Sequence, residues 1–152
     1  GPVRQDLEKV VGDFVLRRAD GIHAYQLAVV VDDMAQGITD IVRGADLLDS
    51  TPRQILIQSL FGQPVSRYAH VPVAVNEAGE KLSKQTLAPA IDARQGAAAL
   101  VQALRFLGQP VPMELARSDA SAVWSWAREH WRLALVPRQR TRIAVAGLLP
   151  PG

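Results

Sequence analysis

The sequence predicts a mixed α/β region up to about residue 90, followed by a mostly helical unit over residues 91–152. Three observations carry this. Short extended stretches alternate with a well-punctuated helix pattern before Pro89, two long helical patterns follow it, and glycine or proline marks most of the boundaries between them. The chain has 152 residues and is 48 % apolar, enough to bury a real core in one domain or in part of a larger one.

Taken in order, "RQDLEKVVG" reads as a short helical turn, and "DFVLRR" as a strand that ends in the turn residues Ala19, Asp20 and Gly21. In "YQLAVVVDDMAQG" the apolar run Leu27–Val31 fits a buried strand or a short helix, because periodicity does not separate the two at that length. "ITDIVRG" alternates at Ile38, Asp40 and Val42, an imperfect strand pattern. The clearest helix follows: Ser50 and Thr51 can cap, Pro52 suits the first turn, Ile55, Leu56, Ser59 and Leu60 share one side, and Gly62 can end it. "HVPVAVNEAGEKLSK" reads as an extended segment, a turn centred on Glu77-Ala78-Gly79, and a lysine-bearing loop. "RQGAAALVQALRFLG" is a helix closed by Gly108, and "SDASAVWSWAREHWRLALV" a second helix with Ser118 as its capping candidate.

Composition excludes several function classes. No apolar run approaches the roughly 20 residues that span a bilayer, and the start "GPVRQDLEKV" lacks a signal-peptide layout, so a cytoplasmic, monomeric protein with no membrane partner is expected. There is no cysteine, and His23, His70 and His130 are too far apart to form a local chelate, so no metal site is expected within this chain. Charge is uneven. Residues 1–104 carry 10 basic and 12 acidic groups, whereas 105–152 carry 7 arginines against Glu114, Asp119 and Glu129, an asymmetry that suits a polyanionic partner for the C-terminal third.

"NEAGEKLSKQT" holds two of the three lysines, Lys81 and Lys84. An ammonium group is a compact, mobile point charge suited to a phosphoryl group whose charge moves during reaction, and Gly79 and Ser83 add a hinge and a hydroxyl. An exposed turn would have the same composition. A phosphate loop of the strand-to-helix kind is absent, since its lysine needs a glycine directly before it and Ser or Thr directly after.

"GEKLSKQ" resembles the second signature of class I aminoacyl-tRNA synthetases, usually Lys-Met-Ser-Lys-Ser, with Leu82 for the Met and Gln85 for the last Ser. Upstream, "DFVLRRADGIHAYQLAVVVDDMAQGITDIVRGADLLDSTPRQILIQSLFG" is similar at matching spacing to the glutamate-specific branch of that class. Within that branch, "KLSKQTLAPAI" and the short C-terminal stretch resemble a shortened paralogous group that attaches L-glutamate to the queuosine base of tRNA(Asp). The resemblance implies the second half of a Rossmann-like catalytic domain over residues 1–90, including the KLSK loop, and a helical tRNA-contacting unit over 91–152. It implies ATP-dependent activation of glutamate, with magnesium accompanying the nucleotide. The alternatives are a piece of a glutamyl-tRNA synthetase that charges the tRNA 3′ end, and a non-catalytic RNA-binding module with the same fold.

From residue type alone, Tyr25 fits a half-buried core tyrosine and Arg43 an arginine that ends a strand. The resemblance gives both to the glutamate, Arg43 at its side-chain carboxylate, a pairing that suits a guanidinium. It gives Lys84 to ATP, with Ser83 and Lys81 as catalytic helpers. Asp32 and Asp33 are local polar groups rather than a metal pair. The family's first signature, a His-Ile-Gly-His-like motif, does not occur in this chain, nor does the cysteine cluster that holds zinc in many members. Both belong to the N-terminal half of that catalytic domain, so zinc is expected only there and the chain alone is expected to have little activation activity. In the helical unit, Trp124, Ala127, Arg128 and Trp131 share a face by helical spacing, with Arg132 four residues after Arg128. The tryptophans are expected in the core, and Arg138, Arg140 and Arg142 are the better phosphate candidates.

Overall fold

The ambiguous run at Leu27–Val31 is helical: helix α2 spans Tyr25–Ala35, and Val30 is only 1 % exposed. Three consecutive valines lower its intrinsic helix propensity, but α2 packs on helix α3, Thr51–Leu60, and tertiary burial decides the conformation. The computed structural model describes residues 3–83 and 90–144. They fall into two compact units, Gly1–His70 and Val71–Gly152.

The first unit opens with a one-turn helix, α1 (Leu7–Val10), capped by the Asp6 carboxylate. The stretch expected as a strand, "DFVLRR", is not one. It has a single antiparallel bridge, Arg17 to His23, with Arg18 N donating to Ile22 O and Ala24 N to Leu16 O around the turn at Gly21. Val15 and Ile22 are 60 % and 59 % exposed, so no buried face fixes a longer ladder. Strand β1 (Asp40–Gly44) forms as expected and pairs with β2 (Arg67–Val71). Between them, a 3₁₀ segment over Ala45–Ser50 leads directly into α3.

Helix α3 has the expected position, with Pro52 in its first turn and Gly62 at φ +67° just past its end. Its buried face differs from the apolar ridge read from the sequence. Thr51, Gln54, Ile57 and Gln58 are buried, while Leu60 is 76 % exposed and Leu56 and Ser59 also face outward. The inward amides donate to side chains from elsewhere in the unit: Gln54 Nε2 to Gln26 Oε1, Gln26 Nε2 to Ser50 Oγ, and Gln58 Nε2 to Ser66 Oγ, while the buried Gln58 Oε1 has no partner among the described residues. Ser50 occupies the cap position, but its hydroxyl is taken by Gln26 and caps no helix amide.

In the second unit, β3 (Val73–Val75) pairs in parallel with β4 (Thr141–Ile143), Ala74 standing opposite Arg142. Helices α4 (Gly96–Phe106) and α5 (Ala120–His130) build the core, with Ala97, Val101, Leu104, Val111, Val123 and Ala127 buried together. The cap of α5 is Asp119, whose Oδ1 accepts from Ala122 N at 2.8 Å; Ser118, the expected cap, instead donates to the Leu115 carbonyl. Gly108 closes α4 at φ +77°, where an added Cβ would collide with the Leu135 carbonyl. Buried Gln109 donates from Nε2 to Arg132 O and accepts at Oε1 from Arg132 N.

The tryptophan expectation is overturned. Trp124 and Trp131 are 55 % and 41 % exposed, and Trp126 is the one packed against the core, stacked on His130 at 4.8 Å. Helix α5 ends at His130, so Trp131 and Arg132 lie beyond it, and of the residues assigned to one face only Ala127 is buried. No helix among the described residues is long and apolar enough to cross a membrane.

Candidate functional site

Arg43 lies in the first unit, half-buried on β1. The tight 3₁₀ segment after that strand folds the chain back, so the Leu47 carbonyl and Thr51 both reach the guanidinium. Nη2 donates to Thr51 Oγ1 at 2.8 Å and to Leu47 O at 3.3 Å, and Nε donates to His70 Nε2 at 3.2 Å. A guanidinium N–H can only donate, so His70 Nε2 is an acceptor and the imidazole proton sits on Nδ1. The Thr51 hydroxyl has two acceptors within reach, the same Nε2 at 3.0 Å and the Leu47 carbonyl at 3.3 Å.

Alternation along β2 puts Tyr68 and His70 on one face. Their rings are parallel within 6° with centroids 6.3 Å apart, and the Arg43 guanidinium carbon stands 5.2 Å from the Tyr68 centroid. Burial, and then the Arg43 charge, hold His70 below its ordinary pKa, so the ring is neutral at neutral pH. Burial also raises the Tyr68 phenol, against the pull of Arg43 and with the push of Asp33 and Tyr25. Tyr25, the first residue of α2 and 48 % exposed, therefore belongs to the same electrostatic neighbourhood.

What this arrangement offers is a cation without an anion. Every protein group bonded to Arg43 is neutral, and no carboxylate lies within 4.0 Å of it among the described residues. The Nε and Nη2 hydrogens are engaged by the protein, and Nη1 makes no hydrogen bond among the described residues. A half-buried charge in this state can accept an anionic ligand at its open end.

The lysine loop belongs to the second unit. Gly79 N donates to Asn76 O and Asn76 N to Glu80 O, while the Asn76 side chain bonds both Glu80 N and Glu80 Oε2, closing the expected turn with Gly79 at φ +81°. Lys81 makes an antiparallel bridge to Val75 and is exposed, and Ser83 is half-buried at a bend. Lys84 lies outside the described residues, so of the nucleotide-side trio only Lys81 and Ser83 are placed. No cluster of three or more metal-ligating side chains occurs among the described residues, Asp32 and Asp33 included.

Three members of the Arg43 site, Thr51, Tyr68 and His70, are not singled out by the sequence reading. The alternation Tyr68-Ala-His70 on a strand is the signal that could have paired them. The C-terminal arginines divide. Arg142 donates from Nη1 to the Phe106 carbonyl and lies over the Phe106 ring, whereas Arg128, Arg132 and Arg138 are exposed. A cavity of about 430 Å³ lined by Arg94, Gly96, Arg117 and Asp119 includes none of the residues expected at the amino acid or nucleotide.

Residues 2–112 match the family of class I tRNA synthetases (E and Q), catalytic domain, and the chain belongs to that family. It is 65 % identical over 139 residues to the glutamyl-Q tRNA(Asp) synthetase of Dechloromonas aromatica, covering 91 % of this chain and 46 % of the relative. To the protein of the same name from Pseudomonas aeruginosa it is 55 % identical over 141 residues, covering 93 % and 48 %. The chain thus spans about half the length of the curated relatives it matches. Among solved structures, the glutamate-tRNA synthetase of Elizabethkingia anophelis shares the fold with a TM-score of 0.61 at 21 % identity, over 90 % of this chain and 31 % of that one. A glutamate tRNA ligase from Elizabethkingia meningosepticum, in complex with its amino acid, gives 0.59 at 20 %, over 86 % and 30 %.

Proposed function

We propose that the whole protein activates L-glutamate with ATP and transfers it to the queuosine base of tRNA(Asp), and that this chain supplies the side-chain carboxylate site and the second signature loop. The observation that carries this reading is the half-buried Arg43 guanidinium, which among the described residues is bonded to neutral acceptors alone and is open at Nη1. A glutamate side chain supplies the missing negative charge, while glutamine would leave the cation uncompensated, so charge separates the two amino acids. Tyr25 sits at the start of α2 as a second contact to the amino acid.

In the activation step a glutamate α-carboxylate oxygen attacks the α-phosphorus of ATP, the bond from that phosphorus to the bridging oxygen breaks, and pyrophosphate leaves. Lys84, with Lys81 and Ser83 beside it, stabilises the charge that builds on the departing phosphates. Magnesium comes with the nucleotide. Residues 1–90 act as the later part of the catalytic domain and 91–152 as the RNA-contacting unit, where exposed Trp124, Arg128 and Arg132 suit bases and phosphates. The protein works as a cytoplasmic monomer.

The test follows labelled glutamate in the whole protein, given tRNA(Asp) with and without queuosine. Transfer that requires both ATP and the modified base supports the proposal. Charging of the 3′ end of either tRNA points instead to a glutamyl-tRNA synthetase, and salt-sensitive tRNA binding without transfer to a non-catalytic module. Lys84→Ala should lower turnover roughly 100-fold or more with a smaller change in the glutamate KM. The 152-residue chain alone should give little or no glutamate-dependent ATP–pyrophosphate exchange.

A further inference from the structure

The Arg43 neighbourhood contains more than the residue that would meet the ligand. We propose that Thr51 and neutral His70 are positioning residues that fix the Arg43 guanidinium with its Nη1 end presented to the amino-acid side chain, and that they set discrimination between a carboxylate and a carboxamide. This rests on the reading that Arg43 binds the glutamate carboxylate.

An arginine side chain has four rotatable bonds, and a site that relies on it must hold the head group still or lose binding to side-chain entropy. Here two side chains from different elements do so. Thr51 opens α3 and His70 lies on β2, and they engage Nη2 and Nε, the two nitrogens along one edge of the planar head. That edge is then closed to a ligand, so the accessible donors are those of Nη1. The stacked Tyr68 ring limits rotation out of the plane. Neither positioning group carries charge, so neither competes with the ligand for the cation.

His70 performs this role only in one protonation state. Its Nε2 must keep a lone pair, and a proton there would both remove the acceptor and place a second positive charge 3.2 Å from Arg43 Nε. Among the described residues, the charged and titratable groups coupled to His70 and Tyr68 are Tyr25 and Asp33 from α2 and Arg43 from β1, and Asp46 and Asp49 flank Leu47 on the 3₁₀ segment. The first 3₁₀ segment and the start of α3 contribute only the neutral Leu47 carbonyl and Thr51 hydroxyl to the bonding of Arg43.

Glutamate-dependent exchange in the whole protein tests the assignment, with glutamine as the competing substrate. Thr51→Val and His70→Leu should each raise the glutamate KM roughly 10- to 100-fold with turnover much less changed, and should narrow the preference for glutamate over glutamine. Thr51→Ser, which keeps the hydroxyl, should recover most of the loss. His70→Gln supplies an acceptor that does not titrate, so its KM should stay flat while that of the unmodified protein rises as pH falls through the folded-state value of His70, which burial and Arg43 hold below the ordinary histidine range. Thermal melts of each variant separate misfolding from misplacement. If Arg43→Ala leaves the KM unchanged, the carboxylate reading itself fails. If Arg43→Ala raises it but folded Thr51→Val and His70→Leu do not, the carboxylate reading stands and the positioning assignment is overturned.

Discussion

The two units bury different chemistry. Beneath α3 in the first unit, fully buried Gln54 and Gln58 make directional bonds to Gln26 and Ser66; between α4 and α5 in the second, valine, leucine and alanine pack without a polar atom among the clustered side chains. An apolar core gains stability in proportion to area and tolerates modest rearrangement, whereas an amide network is satisfied in few geometries. The network lies in the unit where a guanidinium must be placed within hydrogen-bonding tolerance, and the apolar core in the unit whose surface carries exposed tryptophan and arginine.

Substitutions can break that contrast. The largest loss is expected in the apolar core: Leu104→Ala removes a side chain that is 7 % exposed and should cost about 2–5 kcal/mol in chemical denaturation, with the Arg43 site unaffected. Gly108→Ala comes next, at about 2 kcal/mol or more, because it forces a side chain into the left-handed region against the Leu135 carbonyl. In the polar interior, Gln54→Leu should cost about 1–3 kcal/mol by orphaning Gln26 Oε1, and the double variant Gln26→Leu, Gln54→Leu should recover part of it. Additive losses in that double variant would mean the amides are not acting as a unit.

The smallest effect is a pH dependence with a definite sign. His70 has a lowered pKa in the folded state, so its contribution to stability is fully present above the ordinary histidine value near 6.5 and is lost as pH falls through the lower folded value. Melting temperatures of the first unit should therefore decline on acidification below that point, and His70→Gln should remove this component. A decline unchanged in His70→Gln would assign it elsewhere.

Much of the architecture was legible, and the reasons for the exceptions are local. Helices α4 and α5 follow their apolar spacing, and Gly108 ends the first of them as its type dictates. Helix α3 was placed correctly but faces the other way, because its ridge of Ile55, Leu56 and Leu60 carries no information about a partner surface while Gln54 and Gln58 are buried by bonds to residues far along the chain. Arg43 and Tyr25 came from a family resemblance. Thr51 and His70, 8 and 27 residues from Arg43, are ordinary polar residues until the chain folds them against it. The tryptophans misled for a physical reason: indole is large and apolar enough to be expected inside, yet Trp124 and Trp131 are substantially exposed.

The grip of Gln109 on Arg132 has its own consequence. A single carboxamide joins both main-chain groups of one residue 23 positions away, and so does the work of an adjacent strand without any strand being there. Because this clasp reads main chain, any residue type except proline, which lacks the N–H, can be held in the same place at position 132, and the exposed side chain there is left free for other contacts.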